Sequence, residues 1–214
     1  MKRMKNLQIN RIDSFFDARF SRTALLQHGC FLVDDVPYEV EIVSDTDAIV
    51  RGTDCRIYEA IIDEFRFYAT HITRFFTSDR NLIREFTPKE VLQLRLEQIQ
   101  PSQFYVDREK LTAVSSFIEK PEDIVIQVLP HAGRYISLDG HTRLYYAVIK
   151  GWNHVYAVAE PSDEWVHTFV EEAVRRNIRT PMDMELVTHQ EYEVKWNQFC
   201  DSVFEKEEKY SGQD

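Results

Sequence analysis

Two periodicities run along the chain, and each predicts its own kind of element. Tyr38-Glu-Val-Glu-Ile-Val43 alternates with period two, which predicts a strand with one wet face. Cys30-Phe-Leu-Val33 predicts a shorter strand before it, with Asp34-Asp35 as the turn between them. Ala48-Ile-Val50 predicts a third strand before the break at Arg51-Gly52. Ser44-Asp-Thr-Asp47 reads as a polar turn; its two carboxylates hint at a cation, and a turn built on Asx side chains accounts for them more simply. Ahead of these, residues 1–11 read as a frayed basic tail, and Phe15, Phe16, Phe20 and Leu25 predict a helix over 12–28. The longest helical pattern covers 55–77. There Ile57, Tyr58, Ile61, Ile62, Phe65, Tyr68, Ala69, Ile72, Phe75 and Phe76 recur every three or four residues, opposite Glu59, Asp63, Arg66 and Thr73. His71 falls off that stripe and reads as a solvated imidazole. Residues 78–87 read as a connector with room for one short helix.

The pattern changes character past Pro88-Lys89. Leu92, Leu94 and Leu96 alternate with Gln93, Arg95 and Glu97, predicting one strand that ends near Ile99-Gln-Pro101. A helix over 108–118 places Leu111, Val114, Phe117 and Ile118 inward, and Pro121-Glu-Asp123 breaks it. Ile124 to Leu129 reads as a strand, 130–134 as a hairpin turn and 135–138 as the partner strand. Leu144, Ala147 and Val148 share one face of the next helix, which Gly151 closes as a C-cap glycine, and Val155-Tyr-Ala-Val-Ala159 is a last strand. The order is β-α-β-β-α-β, a compact α+β arrangement. Downstream, Trp165, Val166, Phe169, Val170, Ala173 and Val174 form one amphipathic stripe. Thr188-His-Gln-Glu191 is a capping box opening a second helix through Tyr192, Trp196, Phe199 and Val203, with His189 assigned to the cap alone. From Glu205 the charged tail is expected to be disordered. The chain thus divides into an accessory α+β region (1–90), the compact α+β domain (91–160) and a helical extension with an acidic tail (161–214).

Charge narrows the range of partners. The net charge is −10, and residues 160–214 hold 14 acidic against 6 basic side chains, so −8 lies there. Such a surface repels a phosphate backbone and disfavours nucleic acid as a partner. No apolar run approaches the roughly 18 residues of a membrane span, and Met1-Lys-Arg-Met-Lys-Asn lacks the apolar stretch of a signal peptide, so the expectation is a cytoplasmic protein without a membrane partner. Cys30, Cys55 and Cys200 are scattered and odd in number, which argues for reduced residues with packing roles rather than a disulfide framework or a zinc site. Oligomeric state is left open.

Candidate chemistry gathers at the junction Tyr135-Ile-Ser-Leu-Asp-Gly-His-Thr-Arg143, where strand passes into helix. The first N–H groups of a helix have no internal partners and carry the positive end of its dipole, and Gly140 lets a ligand approach the backbone. Arg143 in the first turn can fork onto a phosphate or carboxylate. Asp139 or His141 can hold a metal ion, act as a base or orient a hydroxyl. An equally direct reading makes Asp139 the N-cap, Gly140 a tight-turn residue, and His141 and Arg143 first-turn surface residues.

These pieces resemble the ParB/sulfiredoxin-like superfamily. The resemblance rests on Leu96-Glu-Gln-Ile-Gln-Pro101, Val125-Ile-Gln-Val128, the 135–143 junction and the helix from Ala147 to Gly151, and it covers about residues 91–160, a third of the chain. It implies the ParB/sulfiredoxin-like mixed-sheet fold, shared by DNA-partition proteins, reductases and small-molecule kinases. Sulfiredoxins carry a cysteine at the position of His141, and none lies near. ParB partition proteins carry a Gly-Glu-Arg-Arg loop and a basic helix-turn-helix downstream, where this chain is short and acidic. The loop is most similar to that of free serine kinases, Asp-Gly-His-His-Arg. That similarity implies a phosphotransferase using ATP or ADP with Mg²⁺ on a serine-like hydroxyl. Asp139 and His141 would be catalytic, and Gly140, His141, Thr142 and Arg143 would contact the nucleotide phosphates. The chain departs from the kinases twice. Thr142 replaces the second histidine, and Gln103, beside Ser102 as a possible auxiliary residue, stands where those kinases carry an essential glutamate. An amide takes no proton, so Asp107 or Glu109 would have to substitute. Without such a base the loop would serve a non-catalytic, ligand-binding regulatory module.

Overall fold

The computed structural model describes residues 7–12, 14 and 16–211, with side chains as far as Phe204. The chain separates after Glu90 into two compact units. In the first, β1 (Ile9–Arg11), β2 (Cys30–Val33), β3 (Val36–Ile42), β4 (Asp47–Arg51), β5 (Arg74–Phe76) and β6 (Leu82–Glu85) form a sheet in sequential order. Every pairing is antiparallel except β4 with β5, which α2 (Tyr58–Arg66) connects by a crossover. Ile61, Ile62 and Phe65 of α2 are buried against Phe31, Val40, Val50 and Phe75 of the sheet.

The first unit departs from the sequence pattern at several places. Residues 9–11 are not frayed tail but a strand laid along β2. The helix expected over 12–28 shrinks to α1 (Arg22–Leu26), capped by the Ser21 hydroxyl; Phe15, Met1 to Asn6 and residues 212–214 lie outside the described residues. The long helix over 55–77 stops at Arg66, after a 3-10 turn at Cys55–Ile57. Arg66 folds its guanidinium back onto the carbonyls of Ile72 and Thr70, and the β-branched run Thr70, Ile72, Thr73 then enters β5. Tyr68, assigned to the buried stripe, is 41% exposed, and Thr73, assigned to the wet side, is buried. The expected connector holds β6 rather than a helix. Cys55 is exposed, whereas burial pushes the thiols of Cys30 and Cys200 up to about 12 and about 11; all three are unbonded. In the 44–47 turn the Ser44 hydroxyl accepts from the Asp47 amide, and the Asp47 carboxylate pairs with Arg74.

The second unit is a mixed sheet flanked by helices. β7 (Val91–Arg95) and β8 (Ile99–Pro101) are not one strand. Gln98 takes the Arg95 amide on its side-chain oxygen, a 3-10 turn (Leu96–Gln98) intervenes, and the two strands lie at opposite edges of the sheet. β9 (Tyr105–Asp107) leads into α3 (Arg108–Val114). β10 (Val125–His131) and β11 (Arg134–Ser137) form the expected hairpin, but its turn is Ala132 and Gly133 alone, both with positive φ, rather than 130–134, because Pro130, His131 and Arg134 join the ladder. α4 (His141–Ile149) and β12 (His154–Ala159) follow, giving the order β7-β12-β10-β11-β8.

The chain then adds α5 (Trp165–Arg175), β13 (Glu185–Val187), α6 (His189–Tyr192), a π turn (Glu193–Asn197) and α7 (Gln198–Ser211). The backbone expected to be disordered from Glu205 therefore continues as helix to Ser211. The capping box at Thr188 and Glu191 forms as the pattern predicts. β13 pairs in parallel with β9. Trp196 packs edge-on with Phe104 and with Phe169, and Phe169 edge-on with Phe199, so the C-terminal helices share one core with the sheet. Compact α+β architecture is thus observed. Among the described residues no helix is long and apolar enough to cross a membrane.

Candidate functional site

β11 delivers the motif to the start of α4. Ser137 ends the strand, and the chain reaches the helix through Gly140, which occupies the N-cap position at φ 80°, ψ 20°. Asp139 is therefore not the cap, and no side chain caps this helix. Left-handed backbone explains the glycine in part. Packing explains the rest: a β-carbon there would stand 2.5 Å from Ile126 Cγ2 and 3.1 Å from the Arg143 guanidinium.

Arg143 runs back along its own loop. One terminal nitrogen donates to the Val125 carbonyl at 2.8 Å and the other to Asp139 Oδ2 at 2.8 Å. This guanidinium clamps the loop onto the first residue of β10, and a two-pronged grip on a phosphate would require Asp139 to let go. Asp139 and Arg143 keep 41% and 26% side-chain exposure, so both remain reachable from solvent.

His141 is not the surface residue that the capping reading expected. It is buried beside Ser102 and Ser137. The Ser102 hydroxyl donates to the Ser137 carbonyl at 2.7 Å and stands 3.1 Å from His141 Nε2. With that proton committed, Nε2 carries the hydrogen and donates to Ser102. Burial pushes the imidazole down to about 4, outweighing the opposing pull of Asp139 and the Ser137 carbonyl, and the nearby Arg143 charge lowers it further. It is neutral at pH 7. Ser137 Oγ, fully buried, has no hydrogen-bond partner among the described residues. Thr142 is half-buried in the first turn.

Gln103 is brought into a different set of contacts. Its amide donates to the Tyr105 carbonyl and meets the Tyr192 hydroxyl. Asp107, the suggested substitute base, is 1% exposed; it caps α3 through the Glu109 amide and receives His189 Nδ1 at 2.7 Å on its other oxygen. The structure therefore gives His189 a role beyond its cap. Asp107 raises the imidazole above its ordinary value. Eighty-two positions separate these two residues, and no local pattern signals their meeting.

A shallow groove of about 280 Å³ lies towards the far end of α4, lined by Leu111, Tyr146, Ile149 and Leu186 among others; none of the motif residues lines it.

No family model matches the chain, and no curated protein matches it. Among solved structures, the crystal structure of protein Atu1540 from Agrobacterium tumefaciens is similar over 47% of this chain and 63% of that one, with 14% identity and a TM-score of 0.34. A likeness so slight assigns neither fold nor function. The class defined by the observed structure is a two-unit α+β protein with its polar cluster at a strand–helix junction.

Proposed function

We propose that the second unit is a ParB/sulfiredoxin-like domain that binds a nucleotide or another phosphate-bearing small molecule at the loop of Asp139, Gly140, His141, Thr142 and Arg143. The start of α4, which no side chain caps, carries this reading: its first-turn N–H groups need an acceptor, and an anion supplies one. The partnerless Ser137 hydroxyl supports it, because it offers a hydrogen bond without adding charge. The ligand class is ATP or ADP with Mg²⁺, and the turnover reading is phosphoryl transfer to a serine-like hydroxyl with Asp139 orienting the acceptor. The reading without turnover, a ligand-binding regulatory module, is favoured by Gln103, whose amide is engaged by Tyr105 and Tyr192 and has no carboxylate to offer. A ParB-type DNA-associated role is disfavoured by the net charge of −10.

Thermal melts with nucleotides, with and without Mg²⁺, test the site. A ligand at about 100 times its dissociation constant stabilises by about 2.7 kcal/mol. Arg143→Ala is expected to abolish that rise and to lower the unliganded stability by about 1–2 kcal/mol through its lost bonds. Thr142→Glu is the cleaner variant. It places a carboxylate at a helix start, where the dipole tolerates it, while repelling a phosphate. Its unliganded melt should match wild type and its nucleotide response should vanish; a wild-type response would move the site elsewhere.

A radiolabelled-nucleotide assay with a panel of amino alcohols separates the two readings. Product that disappears in Asp139→Asn establishes transfer. Binding without product for any acceptor establishes the regulatory module.

A further inference from the structure

At the opposite end of the hairpin from the motif loop, two histidines from distant parts of the chain face one another. His131 closes β10 and is held by its ladder position opposite Arg134, directly before the two-residue turn. His167 lies in the first turn of α5, a helix anchored by the buried Val166, Phe169 and Ala173. Their ring centroids are 5.0 Å apart with planes at 51°. We infer that the pair is a binding site for one borderline divalent transition-metal ion of the Zn²⁺, Ni²⁺ or Cu²⁺ class.

Geometry carries the inference. With a metal–nitrogen bond of about 2.1 Å and about 1.1 Å from ring nitrogen to ring centre, two imidazoles sharing an ion have centroids about 5.2 Å apart at a tetrahedral angle and about 4.5 Å apart at a right angle. The observed 5.0 Å falls between the two. Neither imidazole makes an ion pair or hydrogen bond among the described residues, whereas His154 is engaged by Asn153 and His189 by Asp107. His131 is exposed and His167 half-buried, so an ion can enter from solvent while one ring is already positioned. Both backbones sit on regular elements, which limits the ordering needed on binding. Along α5, Asp163 and Glu164 precede the helix and Glu171 lies one turn beyond His167, while the Arg134 guanidinium opposite His131 is engaged by the carbonyls of Glu97, Ile99 and Arg179.

Among the described residues no third His, Cys, Asp or Glu completes a set of three. The site is therefore open, with two protein donors and water in the other positions, and it is selective by donor type. Imidazole suits Zn²⁺, Ni²⁺ and Cu²⁺, while the oxygen-seeking Mg²⁺ and Ca²⁺ gain nothing from it.

The test uses the full chain without a histidine tag, titrated with ZnCl₂ and NiCl₂ by calorimetry and thermal melts. One ion per chain is expected, with affinity reduced at least tenfold by His131→Ala and equally by His167→Ala, and unchanged by His154→Ala. The unliganded melts of both variants should match wild type, since neither ring belongs to the core. Because Co²⁺ reports its ligands by its visible spectrum, a Co²⁺ titration showing nitrogen ligation in wild type and none in His131→Gln provides a second readout. Absence of Zn²⁺ and Ni²⁺ binding by wild type, or binding by both alanine variants at wild-type strength, overturns the inference. A response to Mg²⁺ equal to that of Zn²⁺ overturns it as well.

Discussion

Lowering the pH from 7 to 4.5 is expected to destabilise the second unit by about 2 kcal/mol through His141 alone, and His141→Gln is expected to remove most of that loss. The ordinary imidazole value is 6.5, and burial beneath the motif loop brings it to about 4 in the folded chain. Between those values the unfolded chain binds a proton that the folded one refuses, at about 1.4 kcal/mol for each pH unit. The stability is whole above 6.5 and falls as acid approaches the folded value. The carboxylates held down by hydrogen bonds in this unit, Glu172, Asp183 and Glu191, titrate below their ordinary values of 4.5 or 3.8, so their loss comes at lower pH. His189 acts with the opposite sign. Its value is raised by Asp107, so its contribution is present in acid and disappears as pH rises through the folded value. Urea midpoints at pH 7 and 4.5 for wild type and His141→Gln measure the difference. Parallel shifts in the two proteins would mean that His141 is not held neutral by burial.

Gly140→Ala is expected to cost about 2–5 kcal/mol. A left-handed backbone costs a residue with a β-carbon about 1–2 kcal/mol, and forcing a methyl into a filled space adds about 1–3 kcal/mol. The filled space is the 2.5 Å gap to Ile126 Cγ2, on a core strand that has little freedom to retreat. The Arg143 guanidinium, 3.1 Å from the same point, would have to leave Val125 or Asp139. Gly133→Ala is the matched control: its φ is also positive, but nothing stands within 4 Å of its β-carbon, so only the backbone cost applies. Equal losses for the two variants would show that packing around Gly140 is unimportant.

Legibility from sequence followed the range of the interactions involved. The β10–β11 hairpin, α4 with its terminal Gly151 and the Thr188–Glu191 box are all encoded within a few residues, and each forms where the pattern puts it. The 55–77 stripe misled because apolar spacing of three and four continues across a helix, a turn and a strand. What ends the helix is Arg66 reaching the carbonyls of Thr70 and Ile72. At the candidate site the loop and its helix were legible, whereas the inward turn of His141 was not. It depends on Ser102, which β8 brings to Ser137 through a parallel pairing with β11. His189 was assigned to its cap alone for the same reason, its partner Asp107 lying on another element.

The parallel pairing of β9 with β13 also sets an order of events during synthesis. Tyr105 to Asp107 emerge from the ribosome about 80 residues before Glu185 to Val187, the strand that completes their ladder. Until then the buried Asp107 lacks His189, and Phe104 lacks Trp196 and Phe199. The N-terminal unit, whose contacts close within its first 90 residues, can be finished while the second is still an open sheet. At about 5–20 residues per second, that sheet waits several seconds with its aromatic face uncovered. A nascent chain halted near residue 160 therefore presents that uncovered aromatic face to chaperones and to aggregation.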